Sequence, residues 1–207
     1  MTMVAIDGYR LALRRFHPEE SLNRTMKFVV PAPALREVEK ILSDSVEENA
    51  VITLGSRHIT FKVGDATLVC RILEGEFMDW RKVLKTGESM KLVAKVSELS
   101  TSIERVSLVV NEKFKAPVRC TFGAGTADFK TSTVMGTAHD SCTIAGDGKD
   151  MEIGFNCRYL LEALRAVPDQ EVTLELTNGL SPIIMTPVEG NDSFTYLVLP
   201  VRMRSEN

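Results

Sequence analysis

The sequence predicts an α+β fold of repeated β-α-β-β-β modules, with antiparallel sheets and helices on one face. Three observations predict it. Val/Ile/Thr-rich runs of strand length alternate with a few stretches of helical period. Breaks bearing Gly, Asp or Ser separate those runs at hairpin spacing. A strand–helix–three-strand pattern early in the chain returns near its end, roughly 120 to 130 residues later.

The elements follow in order. Ala5-Ile6-Asp7-Gly8-Tyr9-Arg10-Leu11-Ala12-Leu13 reads as a hairpin, because Asp-Gly supplies the positive φ a tight turn needs. A short strand is expected over 27–30, and a helix over 34–43 after Pro31 and Pro33. Strands over 50–54, 58–63 and 66–73 form a meander broken at Gly55-Ser56 and Gly64-Asp65. A strand near 90–94 leads to a helix over 97–110, with Ser97 as its cap and Leu99, Ile103, Val106 and Val110 on one stripe. Strands near 118–122, 127–133 and 142–144 come next. The chain closes with a strand over 151–155, a helix over 157–166 and strands over 171–176, 183–186 and 194–199.

The two copies of the pattern are 28–30 with 51–54, 60–63 and 66–69, and 153–155 with 172–176, 182–185 and 194–198. They are unequal. About 30 residues precede the first repeated helix, and about 65 stand before its counterpart in the second half. The first copy is therefore expected to belong to a partial domain with exposed sheet edges, which pair readily with other chains.

Composition excludes several classes. The 207 residues are 44% hydrophobic and 26% charged, as in an ordinary globular chain. No apolar run approaches the roughly 18 residues of a membrane span. The segment from Met1 to Asp7 lacks the basic-then-apolar layout of a signal peptide. Cys70, Cys120, Cys142 and Cys157 are scattered and form no C-x-x-C pair. They are read as reduced thiols in a cytoplasm, with no metal and no cofactor expected. The net charge of −3 means that contact with DNA would need a local basic patch.

No enzyme is expected. His139-Asp140-Ser141-Cys142 lies in an extended stretch, where neighbours point to opposite faces and cannot assemble as nucleophile and base. Gly123-Ala124-Gly125 and Gly146-Asp147-Gly148 are turn glycines, since neither opens a helix as a phosphate loop would.

On a helical wheel, Leu35, Val38, Ile41 and Leu42 form one buried arc, with Arg36 and Lys40 opposite. Leu160, Leu161, Leu164 and Val167 form another, with Arg158 and Arg165 pointing away. Arg105 likewise faces away from the stripe on its helix. These five basic residues are candidates for sequence-blind contact with DNA phosphates, although Glu37, Glu39, Glu98, Glu104 and Glu162 share the same helices. No aromatic ladder accompanies them, which argues against stacking on single strands.

Five segments resemble one family. They are Val4–Ala12, Gly75–Leu84, Asn111–Lys115, Met151–Asn156 and Leu197–Arg202. Their order and content resemble the bacterial sliding clamps, the beta subunits of DNA polymerase III. The resemblance implies the DNA-clamp fold and a non-catalytic processivity factor. Its partners would be duplex DNA, polymerase III subunits, the clamp loader and repair proteins, the proteins bound through short linear peptides. It places residues 1–86 in a partial second clamp domain and 87–207 in a complete third one.

Carried onto this chain, the family's peptide cleft corresponds to Ile6, Gly8, Tyr9, Arg10 and Leu11, then Met78, Lys82 and Val83, then Pro182, Leu197, Val198, Leu199, Pro200, Val201 and Arg202. Met78 stands where the family carries proline, so a looser linker turn is expected. The tail from Met203 to Asn207 is expected to shield the cleft. Family clamps are homodimeric rings that join the first domain of one chain to the third of the other. The matching surface here includes Leu108 and Val109, and the chain alone is not expected to close such a ring.

Overall fold

The computed structural model describes residues 1–17, 25–47, 49–84, 87–110, 116–188 and 190–203. They fall into two compact units, Met1–Glu19 with Leu84–Asn207, and Glu20–Val83.

The chain opens with the expected hairpin, β1 (Thr2–Ile6) and β2 (Arg10–Arg15). The Asp7 carboxylate accepts from the N–H groups of Tyr9 (3.1 Å) and Arg10 (3.2 Å). Gly8 takes φ +85°, and no described non-glycine residue has positive φ. Glycine at the first central position is the II′ turn, whose twist suits paired strands.

The Glu20–Val83 unit holds α1 (Ala32–Asp44), β3 (Val51–Leu54), β4 (His58–Val63), β5 (Ala66–Arg71) and the short α2 (Trp80–Val83). Pro33 sits in the first turn of α1, where its missing N–H costs nothing. The three strands form the expected meander. The strand expected over 27–30 is reduced to one bridge, Val29 with Leu73. Of the expected buried arc on α1, Val38 is buried and Leu35 and Ile41 are half-buried, but Leu42 is 43% exposed. The small core of Val38, Ile59 and Phe61 does not extend far enough to cover it.

The larger unit continues with β6 (Met90–Lys95), α3 (Val96–Ser107), β7 (Val118–Phe122), β8 (Thr126–Thr133), β9 (Gly136–Ala145), β10 (Met151–Phe155), α4 (Cys157–Arg165), β11 (Glu171–Leu176), β12 (Ile183–Thr186) and β13 (Phe194–Val198). Ser97 is not the cap of α3: the cap is Lys95, with no side-chain bond, and the helix ends at Ser107 rather than Val110. A turn closes it there, with the Val110 N–H on the Ser107 carbonyl at 2.9 Å. By contrast α4 has a side-chain cap, as Asn156 Oδ1 accepts from the Arg158 N–H at 3.0 Å. β9 is far longer than the three residues expected. Its polar half, Thr137 to Asp140, is recruited by full-length pairing with β8 rather than by its own apolar pattern.

All ladders are antiparallel. Ten strands run in the order β1-β2-β13-β12-β11-β6-β9-β8-β7-β10. Two modules are visible in this order, β6-α3-β7-β8-β9 and β10-α4-β11-β12-β13, and each lends its first strand to the other. β6 pairs with β11, so that Lys95 faces Glu171; β10 pairs with β7, so that Phe155 faces Val118. The 90–145 stretch is thus a third copy of the repeat, which the spacing of the other two did not reveal. α3 and α4 pack together over one core that includes Leu99, Ile103, Phe122, Phe129, Leu160, Leu164, Leu174 and Phe194. Each fully buried side chain of this size contributes roughly 1.5–3 kcal/mol.

Candidate functional site

The hairpin is sewn to the end of the chain. β2 pairs with β13, placing Leu11 opposite Leu197 and Arg10 opposite Val198. The ladder continues past the strand, with the Leu199 N–H on the Tyr9 carbonyl at 2.8 Å. Residues 9–11 and 197–199, expected to form one site, therefore lie side by side.

Strand alternation sorts their side chains by face. Leu11 and Leu197 share a face with Ile184, which pairs with Leu197, and all three are buried. Val198 faces the other way, into the core beneath the helices, and is fully buried. These three candidates, Leu11, Leu197 and Val198, hold the seam together and offer no free side-chain surface. The exposed surface comes instead from Tyr9, Val201 and Arg202, with Pro182, Leu199 and Pro200 half-buried beside them in the chain. Ile6 is half-buried and Gly8 exposed in the turn.

Arg10 shares its face with Val198 and reaches α4. Its Nε donates to Asp7 Oδ2 at 2.8 Å and its Nη1 to Glu162 Oε2. Its guanidinium carbon lies 4.7 Å from the Tyr159 ring centroid, and Tyr9 stacks on the same ring at 5.6 Å. Hydrogen bonds from Arg158 and then Arg10 hold the Glu162 carboxyl below the ordinary carboxylate range, against a smaller opposing effect of burial. At Asp7 burial works the other way, but Arg10 and the turn amides still bring that carboxyl down. Tyr159 and the bonding role of Glu162 were missed from the sequence. Nothing local links residues so distant in the chain, and in the sequence Glu162 is only one of the acidic residues that share the helices of the basic candidates.

The tail is positioned by a glycine. The Val201 N–H donates to the Gly154 carbonyl at 2.7 Å. A Cβ on Gly154 would stand 2.6 Å from Met203 Cγ and 2.9 Å from the Val201 carbonyl oxygen. Residues 204–207, expected to shield the site, lie outside the described residues, as does the 111–115 motif.

Met78, Lys82 and Val83 belong to the other unit. All three are exposed, and Lys82 Nζ lies 3.7 Å from Asp79 Oδ2.

The helix faces carry the expected cations, but mixed with carboxylates. Arg105 bonds Asp140 at 3.0 Å, Arg158 bonds Glu162 at 2.8 Å and Arg165 bonds Glu104 at 2.9 Å across α3 and α4. On α1 Lys40 pairs with Glu37 at 2.8 Å, and Arg36 is exposed. Such exposed pairs are worth little and can exchange for a phosphate. Leu108 is 83% exposed just beyond α3, while Val109 is half-buried and its carbonyl accepts from the Thr133 hydroxyl at 2.8 Å.

Burial, with Glu98 and two aspartates nearby, pushes the Cys142 thiol up to about 11. His139 lies 3.3 Å from Asp128 rather than beside a nucleophile.

The family described as DNA polymerase III beta subunit, C-terminal domain, matches residues 81–202, and its central domain matches residues 1–79. The chain belongs to the DNA polymerase III beta subunit family. A beta sliding clamp of Staphylococcus aureus (strain Mu50) is 32% identical over 200 residues, covering 96% of this chain and 52% of that protein. A solved DNA polymerase III subunit beta sliding clamp of Bartonella birtlesii LL-WM9 superposes with a TM-score of 0.90 at 27% identity, over 98% of this chain and 58% of that one. Another structure from Bartonella birtlesii, a sliding clamp bound to griselimycin, gives 0.87 at 27% identity, over 98% and 54%. The chain spans about half the length of the curated relatives it matches. The DNA-clamp fold expected from the motifs is the fold of these beta subunits.

Proposed function

We propose that the chain acts as part of a DNA polymerase processivity factor. It contacts duplex DNA without regard to sequence. It tethers polymerase III subunits, the clamp loader and repair proteins, which offer short linear peptides to the surface beside the hairpin and the carboxy-terminal strand. The role is one of scaffolding, without catalysis, in the cytoplasm. Residues 1–86 are second-domain sequence and 87–207 third-domain sequence of the clamp. Arg36, Lys40, Arg105, Arg158 and Arg165 meet phosphate, and Leu108 and Val109 belong to a subunit interface.

The observation that carries this reading is the seam of β2 and β13. It joins the Tyr9 turn to the Pro200–Arg202 tail in one exposed, partly apolar surface of the kind that captures extended peptides. Griselimycin, held by the Bartonella birtlesii clamp, is a ready probe. Calorimetric titration with it is expected to give saturable binding, weakened about tenfold, or about 1.4 kcal/mol, by Val201→Asp. In parallel, a fluorescent duplex of arbitrary sequence is expected to bind and to lose affinity steeply with salt. No binding of either probe would overturn the reading; peptide-site binding without DNA binding would limit it to a tether.

A further inference from the structure

We propose that Asn178 is a site of spontaneous deamidation, and that its conversion to isoaspartate loosens the carboxy-terminal tail from β10. The inference is independent of peptide and DNA binding, and every contact that forms the site lies within residues 151–203.

Asn178-Gly179 is the single Asn-Gly pair of the sequence. It lies in the turn between β11 and β12. The Asn178 backbone carbonyl accepts from the Ser181 N–H at 3.1 Å, and its side-chain Oδ1 accepts from the Leu180 N–H at 2.9 Å. A side-chain bond of this span makes an Asx turn. The turn rests on β10, the last strand of the sheet. A Cβ on Gly179 would stand 2.8 Å from the Glu152 carbonyl oxygen, so a side chain is excluded there. The fold thus requires glycine after Asn178, and that glycine opens the asparagine to attack.

The Gly179 nitrogen adds to Asn178 Cγ and gives up its proton to water. The bond from Cγ to the side-chain nitrogen then breaks, ammonia leaves, and a five-membered succinimide remains. Water opens the ring. Addition at Cγ gives aspartate, and addition at the former backbone carbonyl carbon gives isoaspartate. Water is the only co-reactant, and nothing is oxidised or reduced. Gly179 favours closure because it has no side chain to restrict its backbone. The negative charge of the attack develops on Oδ1, where the Leu180 N–H already donates. Asn178 is exposed, so water enters and ammonia departs freely.

Two other asparagines supply the contrast. Asn191 Oδ1 accepts from the Ser193 N–H at 3.1 Å, in the same kind of turn. Its successor is Asp192, whose carboxylate is tied to Arg15 at 2.8 Å. Asn156 caps α4 and is followed by Cys157. Neither successor has the freedom of glycine.

Isoaspartate routes the main chain through Cβ, so the backbone lengthens and a carboxylate appears beside it. A turn that sets Gly179 against Glu152 then no longer fits. Gly154 follows Glu152 by two residues on β10, and their carbonyls point to the same edge. The Gly154 carbonyl is the one that receives the Val201 N–H, at 2.7 Å. Turn and tail share that edge, and displacing the first disturbs the second.

The test incubates the whole 207-residue chain, folded, in warm, mildly alkaline buffer, followed by digestion and mass spectrometry. The mass gain of an amide-to-acid change is expected at Asn178 before Asn191 or Asn156, with isoaspartate as the main product. In the aged protein the Val201 amide is expected to exchange hydrogen about tenfold faster, the loss of one hydrogen bond's worth of local stability. Asn178→Ser keeps an oxygen for the Leu180 N–H but has no amide to lose, so its Val201 exchange is expected to hold steady over the same incubation. Retention of the Asn178 amide in the folded chain, over a time in which the denatured chain converts, would overturn the proposal. Conversion with unchanged Val201 exchange would do the same, as would equal quickening in Asn178→Ser. Should that variant fail to fold, the two measurements on the unaltered chain decide.

Discussion

Val201 donates its backbone N–H to the Gly154 carbonyl at 2.7 Å, and that bond fixes the start of the carboxy-terminal tail against β10. Gly154 is buried, and the space a methyl group would need is already filled by Met203 and the Val201 carbonyl. Gly154→Ala is therefore expected to push the tail outward. The cost of such overpacking is about 1–3 kcal/mol in thermal unfolding. Griselimycin affinity is expected to fall with it, whereas a change in melting temperature with full affinity would show that the tail takes no part in binding.

Arg10 ties the hairpin to α4 through Glu162. Because the folded carboxyl sits below its ordinary value, the pair stabilises the protein fully above the unfolded carboxylate range. That contribution is lost as pH falls through the folded value. Glu162→Gln is expected to lower the melting temperature slightly near neutrality and to leave it unchanged at the acid end, so that the acid limb of a melting-temperature series flattens. The exposure of the pair limits the neutral-pH effect to about 0.2–1 kcal/mol. An unchanged acid limb in the variant would argue that other carboxylates govern it.

Arg165 is held by Glu104 on the neighbouring helix. If phosphate competes for this guanidinium, Glu104→Gln should tighten duplex binding, and Arg165→Gln should weaken it. The second variant should also shallow the slope of log affinity against log salt by about one unit. Equal affinities for all three proteins, measured by anisotropy at several salt concentrations, would remove α4 from the DNA-facing surface.

Leu164, on the inner face of α4, is fully buried in the core. Leu164→Ala is expected to cost about 2–5 kcal/mol in denaturant unfolding. A loss under 1 kcal/mol, about the size of a surface change, would mean that the helices pack less tightly on the sheet than the burial implies.

Much of the fold was legible because its periodicities are local. The II′ hairpin, the meander of β3 to β5 and the apolar stripe of α4 follow from residues near one another in sequence. What was illegible depends on partners. Thr137 to Asp140 carry no strand signal, and only the long ladder with β8 makes them part of β9. The cap of α3 was misplaced because Ser97 suits a cap by type while the chain turns at Lys95. For the site, the motif positions met as expected around Tyr9 and Leu199. The division between buried and accessible members could not be read, since it depends on which face of β13 the helices cover. Leu11, Leu197 and Val198 are greasy enough for a binding surface, and the same property places them inside.

The larger unit is discontinuous in sequence, with Glu20–Val83 inserted between its hairpin and its remaining strands. During synthesis the hairpin leaves the ribosome long before β13, the strand that receives it. The two must find one another across a loop of most of the chain, a closure whose entropy slows folding far more than it weakens the finished protein. Seating of β2 on β13 is thus the natural final step of maturation, and until it happens the Tyr9 turn and the Pro200 tail are strangers.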